Sequence, residues 1–415
     1  MATDALLAAA EAGDAEAQFE LGREQARLGD LARARAWFER AADLGSTHAL
    51  TELGVFDMYS LDRAGDCDVA AQRFEAALAA GNAEAGYHLA VIELGDRVRG
   101  FDAQRCIDRL AQAAQADFAP ALRCIGMAWA ALGDASRAGA CLLRALAAGD
   151  AVASFLLARL SGNPAQADLF YRHAIARGVL RARAFAAGPG PAPPVARVAW
   201  PGTPDAACLA PSTSVADVRH EQPFIATFDE VLSALDCEYV IALAADQLEP
   251  SRVFDPATGQ PIRHPRRTSS SMAFSRFDDD AWLRVLQRRL TTVAGFPLSH
   301  AEPFAVLRYG PGEQYLPHRD YLNPAVDVHE FAADAPGQRV RTAFSYLNDV
   351  DAGGGTAFPV FDIDIEPRRG RVVLFDNMKP DGRPDPDTLH AGCPVERGEK
   401  WLGTLWLRER PLRAF

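Results

Sequence analysis

The chain has 415 residues, of which 49% are hydrophobic, so it is long enough for two or three domains with sizeable cores. Its 43 basic and 55 acidic residues give a formal net charge of −12, which argues against binding to nucleic acid or to an anionic membrane. No apolar run approaches the roughly 18 residues of a membrane span. The seven scattered cysteines suit a reducing compartment, so we expect a cytoplasmic protein.

Residues 1–186 contain an internal repeat with the period of paired-helix arrays. Four segments that read as helix ends share this period and finish at Gly45, Gly81, Ala116 and Gly149, which are 36, 35 and 33 residues apart. Small residues begin the helices that follow, as Ala49, Ala85 and Ala121 do. The pattern predicts an all-α solenoid of the tetratricopeptide kind, in which small residues let helix pairs stack closely, and it resembles SEL-like repeats.

The concave face of such a solenoid can hold a peptide. We therefore expect the repeats to bind a protein partner. The alternative is that the helical array is only a structural appendage or a dimerisation arm. Aromatic residues such as Phe74 and Trp129 are expected in its core rather than at a ligand.

Residues 187–221 are rich in Pro, Gly and Ala, a composition typical of a semi-extended linker between domains. The remainder, residues 222–415, has short strand-like segments separated by Gly and Asp turns, with helix-like segments over residues 235–247 and 281–293. This order predicts a double-stranded β-helix, or jelly roll, with flanking helices. The whole chain is therefore expected to be a multidomain α + β protein.

The most informative pattern in the second domain is His318-Arg319-Asp320 followed by His390. Two neutral imidazoles and one carboxylate can occupy one face of an octahedral Fe(II) and leave three coordination positions open. A His-x-acid tripeptide alone is a weak signal, and residues 300–302 form a second match that we do not expect to bind metal. His318 and Asp320 differ because they lie two residues apart on a predicted strand, so that both side chains point to one face.

Lys400 lies ten residues after His390 and opens the strand-like segment KWLGTLWLRER. Lys400, Leu402, Thr404 and Trp406 share one face of that strand. A lysine in register with Leu and Trp is unusual on a solvated surface and is better explained as the partner of a buried anion. The alternative is an ordinary surface charge.

Several longer segments carry a resemblance to a known family. They are YGPGEQYLPHRDY (309–321), QRVRTAFSYLNDVDAGGGTAFP (338–359), RRGRVVLFDN (368–377) and LHAGCPVERGEKWLGTLW (389–406). In this order they resemble the catalytic domain of the prolyl 4-hydroxylase family, the 2-oxoglutarate- and Fe(II)-dependent dioxygenases. The resemblance covers residues 223–410, nearly half of the chain.

The resemblance implies roles for individual residues. The implied iron ligands are His318, Asp320 and His390. The implied partners of 2-oxoglutarate are Lys400, for the distal carboxylate, with Tyr309, Thr356 and Trp406 in the same pocket. The implied residues of a peptide groove are Glu302, Tyr315, Arg267 and Arg341.

The resemblance also implies cofactors and an activity. The cofactor is Fe(2+), the cosubstrates are 2-oxoglutarate and O2, and L-ascorbate can re-reduce the iron after uncoupled turnover. The implied enzyme is a procollagen-proline 4-hydroxylase-like dioxygenase that hydroxylates a prolyl residue in a peptide or protein and converts 2-oxoglutarate to succinate and CO2. Two alternatives remain open: the same chemistry on a free amino acid, a small metabolite or another side chain, or a repeat scaffold with an inactive oxygenase-like domain.

The sequence departs from the family pattern at two places. Gly355 stands in GGGT where an acidic residue is usual, and an alanine-rich, acidic insert covers residues 323–337 beyond Asp320. The insert is expected to reshape the entrance for the substrate. Substrate identity is therefore less determined than the chemistry.

Overall fold

The structure, a computed structural model, describes residues 2–96, 101–193, 198–254, 261–262, 266–275, 277–278, 280–325, 327–332 and 335–412. Residues 194–197 of the predicted linker and residues 326, 333 and 334 of the predicted insert lie outside these ranges. Among the described residues, no helix combines the length and the apolar character that crossing a membrane requires.

Eleven α-helices form the first part of the described chain. They are α1 (Ala2–Glu11), α2 (Ala15–Arg27), α3 (Leu31–Asp43), α4 (Thr47–Tyr59), α5 (Cys67–Ala79), α6 (Glu84–Leu94), α7 (Ala103–Gln115), α8 (Ala119–Ala131), α9 (Ala135–Ala147), α10 (Ala151–Leu160) and α11 (Pro164–Ala176). Each helix packs against the next one along the chain. The predicted helical solenoid is confirmed.

Local sequence signals begin and end these helices. Most begin after an Asp, Ser or Asn whose side chain accepts a backbone N–H of the first turn, as Asp30 does from Arg33 at 3.1 Å. Gly45 and Gly81 follow helix ends with φ of +91° and +97°, a conformation that glycine adopts without steric cost. In the third repeat Asp117 takes this conformation instead, with φ of +60°. The predicted helix ends are confirmed.

Small residues let the helices approach closely, as predicted. A Cβ atom added at Gly54 would lie 2.6 Å from the Phe74 ring, and one added at Gly126 would lie 2.9 Å from the Leu142 side chain. Such distances are shorter than any real van der Waals contact of a Cβ atom, so only glycine fits. Phe74 and Trp129 are buried in the core, where they were expected.

The second part of the described chain contains two helices and two main β-sheets. The helices are α12 (Ala234–Ala244) and α13 (Ala281–Ala294). The strands are β1 (Asp217–Glu221), β2 (Phe224–Phe228), β3 (Glu249–Pro250), β4 (Val253–Phe254), β5 (Pro261–Ile262), β6 (Ser270–Ala273), β7 (Ala305–Tyr309), β8 (Tyr315–His318), β9 (Arg339–Tyr346), β10 (Ala352–Gly353), β11 (Thr356–Phe358), β12 (Ile363–Ile365), β13 (Val372–Asp376), β14 (His390–Gly392), β15 (Val395–Arg397) and β16 (Lys400–Arg408).

The larger sheet has eight strands in the order β1-β2-β13-β9-β16-β7-β6-β3, and the smaller has four in the order β12-β11-β14-β8. Buried residues of both sheets form one apolar cluster, with Phe344 and Phe375 from the larger sheet and Phe358 and Ile365 from the smaller. The two sheets therefore face each other across this cluster. This is the predicted jelly roll.

The two flanking helices cover the outer face of the larger sheet. Buried residues of α12 and α13 belong to the same apolar cluster as Val306, Ala343 and Leu374 of that sheet. Helix α13 lies where it was predicted. Helix α12 ends at Ala244 rather than at residue 247, because the Gln247 N–H donates to Ala244 O in a tight turn and does not continue the helix.

The helical region and the jelly roll share a hydrophobic core, which continues from α5 through α10 into α12 and α13. Polar contacts cross the same boundary: Arg123 lies 2.8 Å from Asp280, and Arg181 lies 2.7 Å from Glu399. Part of the segment predicted as a linker is packed as well, since Leu209 is buried and β1 begins at Asp217. The two parts are therefore joined by a continuous interface.

Candidate metal centre and active site

The pairing of two short strands brings the distant histidines together. Strand β14 runs antiparallel to β8, and His390 is the direct partner of His318. His318 Nε2 lies 3.6 Å from Asp320 Oδ1, and His390 Nε2 lies 3.8 Å from the same oxygen. The ligand atoms of the three residues lie within 4.8 Å of one another, and they are the one such group of three among the described residues. A single metal ion could contact all three.

Hydrogen bonds aim these side chains toward a common point. The Nδ1–H group of His318 donates to Leu316 O at 3.0 Å, and that of His390 donates to Thr388 O at 3.0 Å. Each imidazole therefore keeps its Nε2 lone pair for a metal.

The carboxylate of the group is oriented in the same way. Thr342 Oγ1 donates to Asp320 Oδ2 at 2.8 Å and accepts from Asn377 Nδ2 at 3.0 Å. Because Oδ2 is occupied, Oδ1 is the oxygen left to bind a cation. The Thr342 and Asn377 side chains thus hold Asp320 in a metal-binding orientation.

Burial and neighbouring charges favour metal-binding protonation states of His318 and Asp320. Burial, and then the proximity of His390, hold the pKa of His318 well below its ordinary value, so this imidazole is neutral. Burial works against ionisation of Asp320, but His390, His318 and Arg339 lower the pKa of its carboxyl overall. A neutral imidazole beside an ionised carboxylate is the state that a divalent ion requires.

The three residues open into a cavity of about 370 Å³. Its lining includes most of the residues predicted for the site, namely Tyr309, Tyr315, Thr356, Trp406 and Arg267. Tyr315 stacks on His318 with ring centroids 3.4 Å apart, and the Arg267 guanidinium lies 5.1 Å from the Tyr315 ring centroid. Arg267 and Tyr315 therefore line the cavity next to His318.

Lys400 lies beside this cavity as a fully buried cation. Its Nζ atom has no hydrogen-bond partner among the described residues and lies 4.4 Å from the Tyr309 ring centroid. Gly392 lines the cavity, and a Cβ atom added there would lie 3.5 Å from Lys400 Nζ. Burial lowers the pKa of Lys400 to about 8. An unpaired buried ammonium is costly unless an anion joins it, so the site fits a ligand with a carboxylate.

Two of the residues predicted for a peptide groove do not reach the cavity. Arg341 lies between Thr342 and Val340 on β9 and points to the opposite face of the sheet, because alternate residues of a strand face opposite sides. Its guanidinium contacts Asp376 at 2.5 Å and Ala294 O at 2.8 Å. Glu302 lies behind the cavity wall, where it pairs with Arg339 and Arg408.

Sequence reasoning missed Thr342 and Arg339. Thr342 orients Asp320, and Arg339 lines the cavity while it stacks over Trp406 at 4.3 Å from the ring centroid. The available signal for Thr342 was the alternation of β9, in which Thr342 and Phe344 share the face opposite Arg341. Alternation does not predict the position of Arg339. The pairing of β9 with β16 is irregular next to this residue, so the regular alternation of side chains between the two faces does not extend to it.

Several known proteins are similar to parts of this chain. A profile of the 2OG-Fe(II) oxygenase superfamily matches residues 304–408. Probable prolyl 4-hydroxylase 3 of Arabidopsis thaliana is 35% identical over 210 residues, which cover 46% of this chain and 71% of that protein. The structure of viral collagen prolyl hydroxylase from Paramecium Bursaria Chlorella virus-1 is 25% identical and covers 44% of this chain and 95% of that one, with a TM-score of 0.35. A Sel1 repeat protein from Oxalobacter formigenes is 19% identical and covers 41% of this chain and 76% of that one, with a TM-score of 0.36.

Proposed function

The chain belongs to the prolyl 4-hydroxylase family of 2OG-Fe(II) oxygenases, and from this premise we propose that it hydroxylates a prolyl residue in a peptide or protein. One oxygen atom enters the substrate while 2-oxoglutarate is converted to succinate and CO2. The observation that supports the proposal most directly is the position of Lys400. This buried cation has no hydrogen-bond partner in the part of the chain that the structure describes, and it lies beside the cavity that also contains the three potential metal ligands.

Membership of the family implies Fe(2+), 2-oxoglutarate and O2, and the residues present fit this set. His318, Asp320 and His390 would hold the iron, since two imidazole nitrogens and one carboxylate oxygen suit Fe(II). Lys400 would pair with the distal carboxylate of 2-oxoglutarate, with the hydroxyls of Tyr309 and Thr356 on the same wall. When bound, the iron and its cosubstrates supply the oxidising power for hydroxylation of an unactivated C–H bond.

The chain itself supplies position and a dry environment. The Nδ1–H donors of the two histidines and the Thr342 hydroxyl fix the ligand atoms before the metal arrives. Leu402, Phe344 and Trp406 line the cavity with apolar surface, which limits the access of water to the reacting atoms.

The proposal is tested by loading the protein anaerobically with Fe(II) and 2-oxoglutarate and then adding O2 with a library of proline-containing peptides. The expected result is a mass gain of one oxygen atom on a prolyl residue, with one succinate released for each hydroxylation. His318→Ala should abolish both signals. The matched control is His48→Ala, because His48 is an exposed histidine of the helical region.

Two results would contradict the proposal. Hydroxylation of free proline or of another small molecule, with every peptide unmodified, would favour the metabolite alternative. Absence of 2-oxoglutarate turnover from iron-loaded protein would favour an inactive scaffold. Adding and omitting L-ascorbate in the same assay tests the predicted reductant: its presence should prolong turnover without changing the product.

A protein partner for the helical repeats remains a further prediction. The candidate surface is a groove of about 890 Å³ lined by α5, α6 and α7, with Glu75, Glu93 and Arg109 among its residues. Glu75→Lys, at a side chain that is 61% exposed, should weaken binding of such a partner and leave peptide hydroxylation intact. Unchanged partner binding in this variant would remove this groove as the docking surface.

A further inference from the structure

Arginine side chains line the cavity, and the exposed ones, Arg252 and Arg319, place positive charge at its solvent-facing rim. Arg252, Arg267, Arg319 and Arg339 all contribute to its lining. Arg339 already has a carboxylate partner, because its Nε and Nη2 atoms lie 2.7 Å from the two oxygens of Glu302. The other three have no carboxylate oxygen within 4.0 Å among the residues that the structure describes.

The neutral contacts of these three arginines leave most of their N–H groups available. Arg319 Nε donates to Pro386 O at 2.6 Å, and Arg319 is otherwise exposed. Arg267 lies over the Tyr315 ring, and its Nε atom is buried without a hydrogen-bond acceptor in the described part of the chain. Arg252 is exposed at the same rim. Guanidinium groups in this state are suited to pair with carboxylates that arrive from outside.

Arg267, which is partly buried, contrasts with other arginines of similar burial in the described chain. Partly buried arginines elsewhere have their own carboxylates, as Arg289 has Asp236 at 3.1 Å and Arg371 has Asp229 at 2.6 Å. The chain as a whole carries a formal charge of −12, so acidic partners are abundant. A local excess of positive charge at one cavity of an acidic protein therefore attracts an acidic ligand there.

The catalytic groups do not neutralise this excess. Fe(2+), the 2-oxoglutarate dianion, Asp320 and Lys400 together sum to zero charge. The positive charge of the rim would consequently remain after cofactor and cosubstrate have bound, and it would face the substrate.

The spacing of the arginines matches an extended peptide. Arg267 is bridged to Tyr315 at the start of β8, and Arg319 directly follows the end of this strand. Residues 315 and 319 are four positions apart, which corresponds to about 13 Å along an extended chain. A peptide running along β8 would thus meet Arg267 near one end of the strand and Arg319 near the other.

We propose that the substrate is an acidic peptide segment, in which Asp or Glu residues flank the hydroxylated prolyl residue on both sides and pair with Arg252, Arg267 and Arg319. This inference rests on the proposed prolyl hydroxylation and adds the class of its substrate. A single-stranded nucleic acid also carries the required negative charge, but the acidic surface of the remaining chain would repel a long polyanion.

The test uses the full-length protein and three peptides that differ only at the two residues on either side of one proline, which are Glu, Gln or Lys. The KM for the Glu peptide should be the lowest, and this preference should shrink as the salt concentration rises. Arg252→Gln and Arg319→Gln should each raise the KM for the Glu peptide about fivefold, the upper range for an exposed ion pair. Because the two sites are separate, their effects should multiply, and the double variant should raise it about 25-fold.

Matched controls separate local pairing from net charge and from folding. Arg33→Gln removes the same charge from a side chain of α3 that is 76% exposed, and it should leave every KM unchanged. Arg252→Lys and Arg319→Lys keep the charge and should recover most of the preference. Anisotropy of a labelled Glu peptide, measured without O2, reports binding independently of turnover, and the thermal midpoint of each variant reports folding.

The outcomes distinguish this inference from the proposed function. Equal or better use of the Gln or Lys peptide would overturn the acidic substrate while prolyl hydroxylation stands. Peptide binding without hydroxylation of any peptide would contradict the proposed function, and the anisotropy series would still decide the charge preference. Displacement of the labelled peptide by a single-stranded oligonucleotide that is itself oxidised would overturn the peptide substrate in favour of nucleic acid.

Discussion

The helical region and the jelly roll are assembled in opposite ways. Each helix of the helical region packs on its neighbour in sequence. The same pattern of helix ends and small residues therefore recurs along the chain, and this repeat predicts the solenoid. The candidate metal centre instead joins β8 to β14, and Lys400 belongs to β16, which lies between β7 and β9. A repeat fold can therefore be predicted from the period of the sequence. A site made from distant strands can be predicted only from the chemistry of its residue types.

The largest effect is expected when the helical region is separated from the jelly roll. Deletion of residues 1–186 should leave the jelly roll insoluble or lower its thermal midpoint by more than about 10 °C, because α12 and α13 would expose core residues that now pack on the helical array. Calorimetry and solubility measure the effect.

The control deletion removes residues 1–27, whose buried residues belong to separate apolar clusters, and should have a much smaller effect on the jelly roll. A truncated jelly roll that keeps its full thermal midpoint would show that the shared core contributes little.

Lys400→Ala should raise the KM for 2-oxoglutarate by about 100-fold or more, since loss of one partner leaves a buried carboxylate unpaired. Iron affinity, measured by titration of the apoprotein, should stay within about twofold of that of the unmodified protein, because Lys400 does not belong to the group of three potential ligands. The chain contains one other lysine, Lys379, so Lys379→Ala is the matched control. An unchanged KM in Lys400→Ala would refute the assigned role.

Thr342→Val should weaken iron binding by about tenfold, because it removes the hydrogen bond that orients Asp320 and leaves Asn377 Nδ2 without its acceptor. Titration of Fe(II) into the anaerobic protein measures this loss. Thr342→Ser keeps the hydroxyl and should bind iron nearly as well as the unmodified protein. Equal affinities for all three proteins would mean that Asp320 is oriented by its backbone alone.

The last expected effect is a dependence of the KM for 2-oxoglutarate on pH. Burial depresses the pKa of Lys400 to about 8 in the free protein, so its ammonium loses its proton as the pH rises through that value. Binding of the 2-oxoglutarate carboxylate needs the charged form, so the KM should be constant below about pH 8 and should rise up to tenfold per pH unit above it. Steady-state kinetics on both sides of pH 8 measure this rise, which Lys400→Ala should lack.

The sequence predicted the helical array, the jelly roll, its two flanking helices and the proximity of His318, Asp320 and His390. These predictions succeeded because helix period, strand alternation and ligand chemistry are properties of the residues themselves. Arg341 was predicted at the peptide groove, but its side chain lies on the opposite face of β9. Which face a residue of β9 takes depends on how this strand pairs with β13 and β16, and the sequence alone does not show that pairing. The burial of Leu209 could not be predicted either, because it depends on a surface formed by α7 and α8.

The shortness of the strands at the metal centre has a consequence for folding. Strand β14 has three residues and β8 has four, so few ladder hydrogen bonds fix their alignment. A slip by one residue would turn His390 away from His318, and only the native alignment presents both imidazoles to one ion. Binding of a ferrous ion would therefore favour the native alignment over a shifted one. Protein folded under iron starvation should contain a larger fraction of molecules in which β8 and β14 pair in a shifted register.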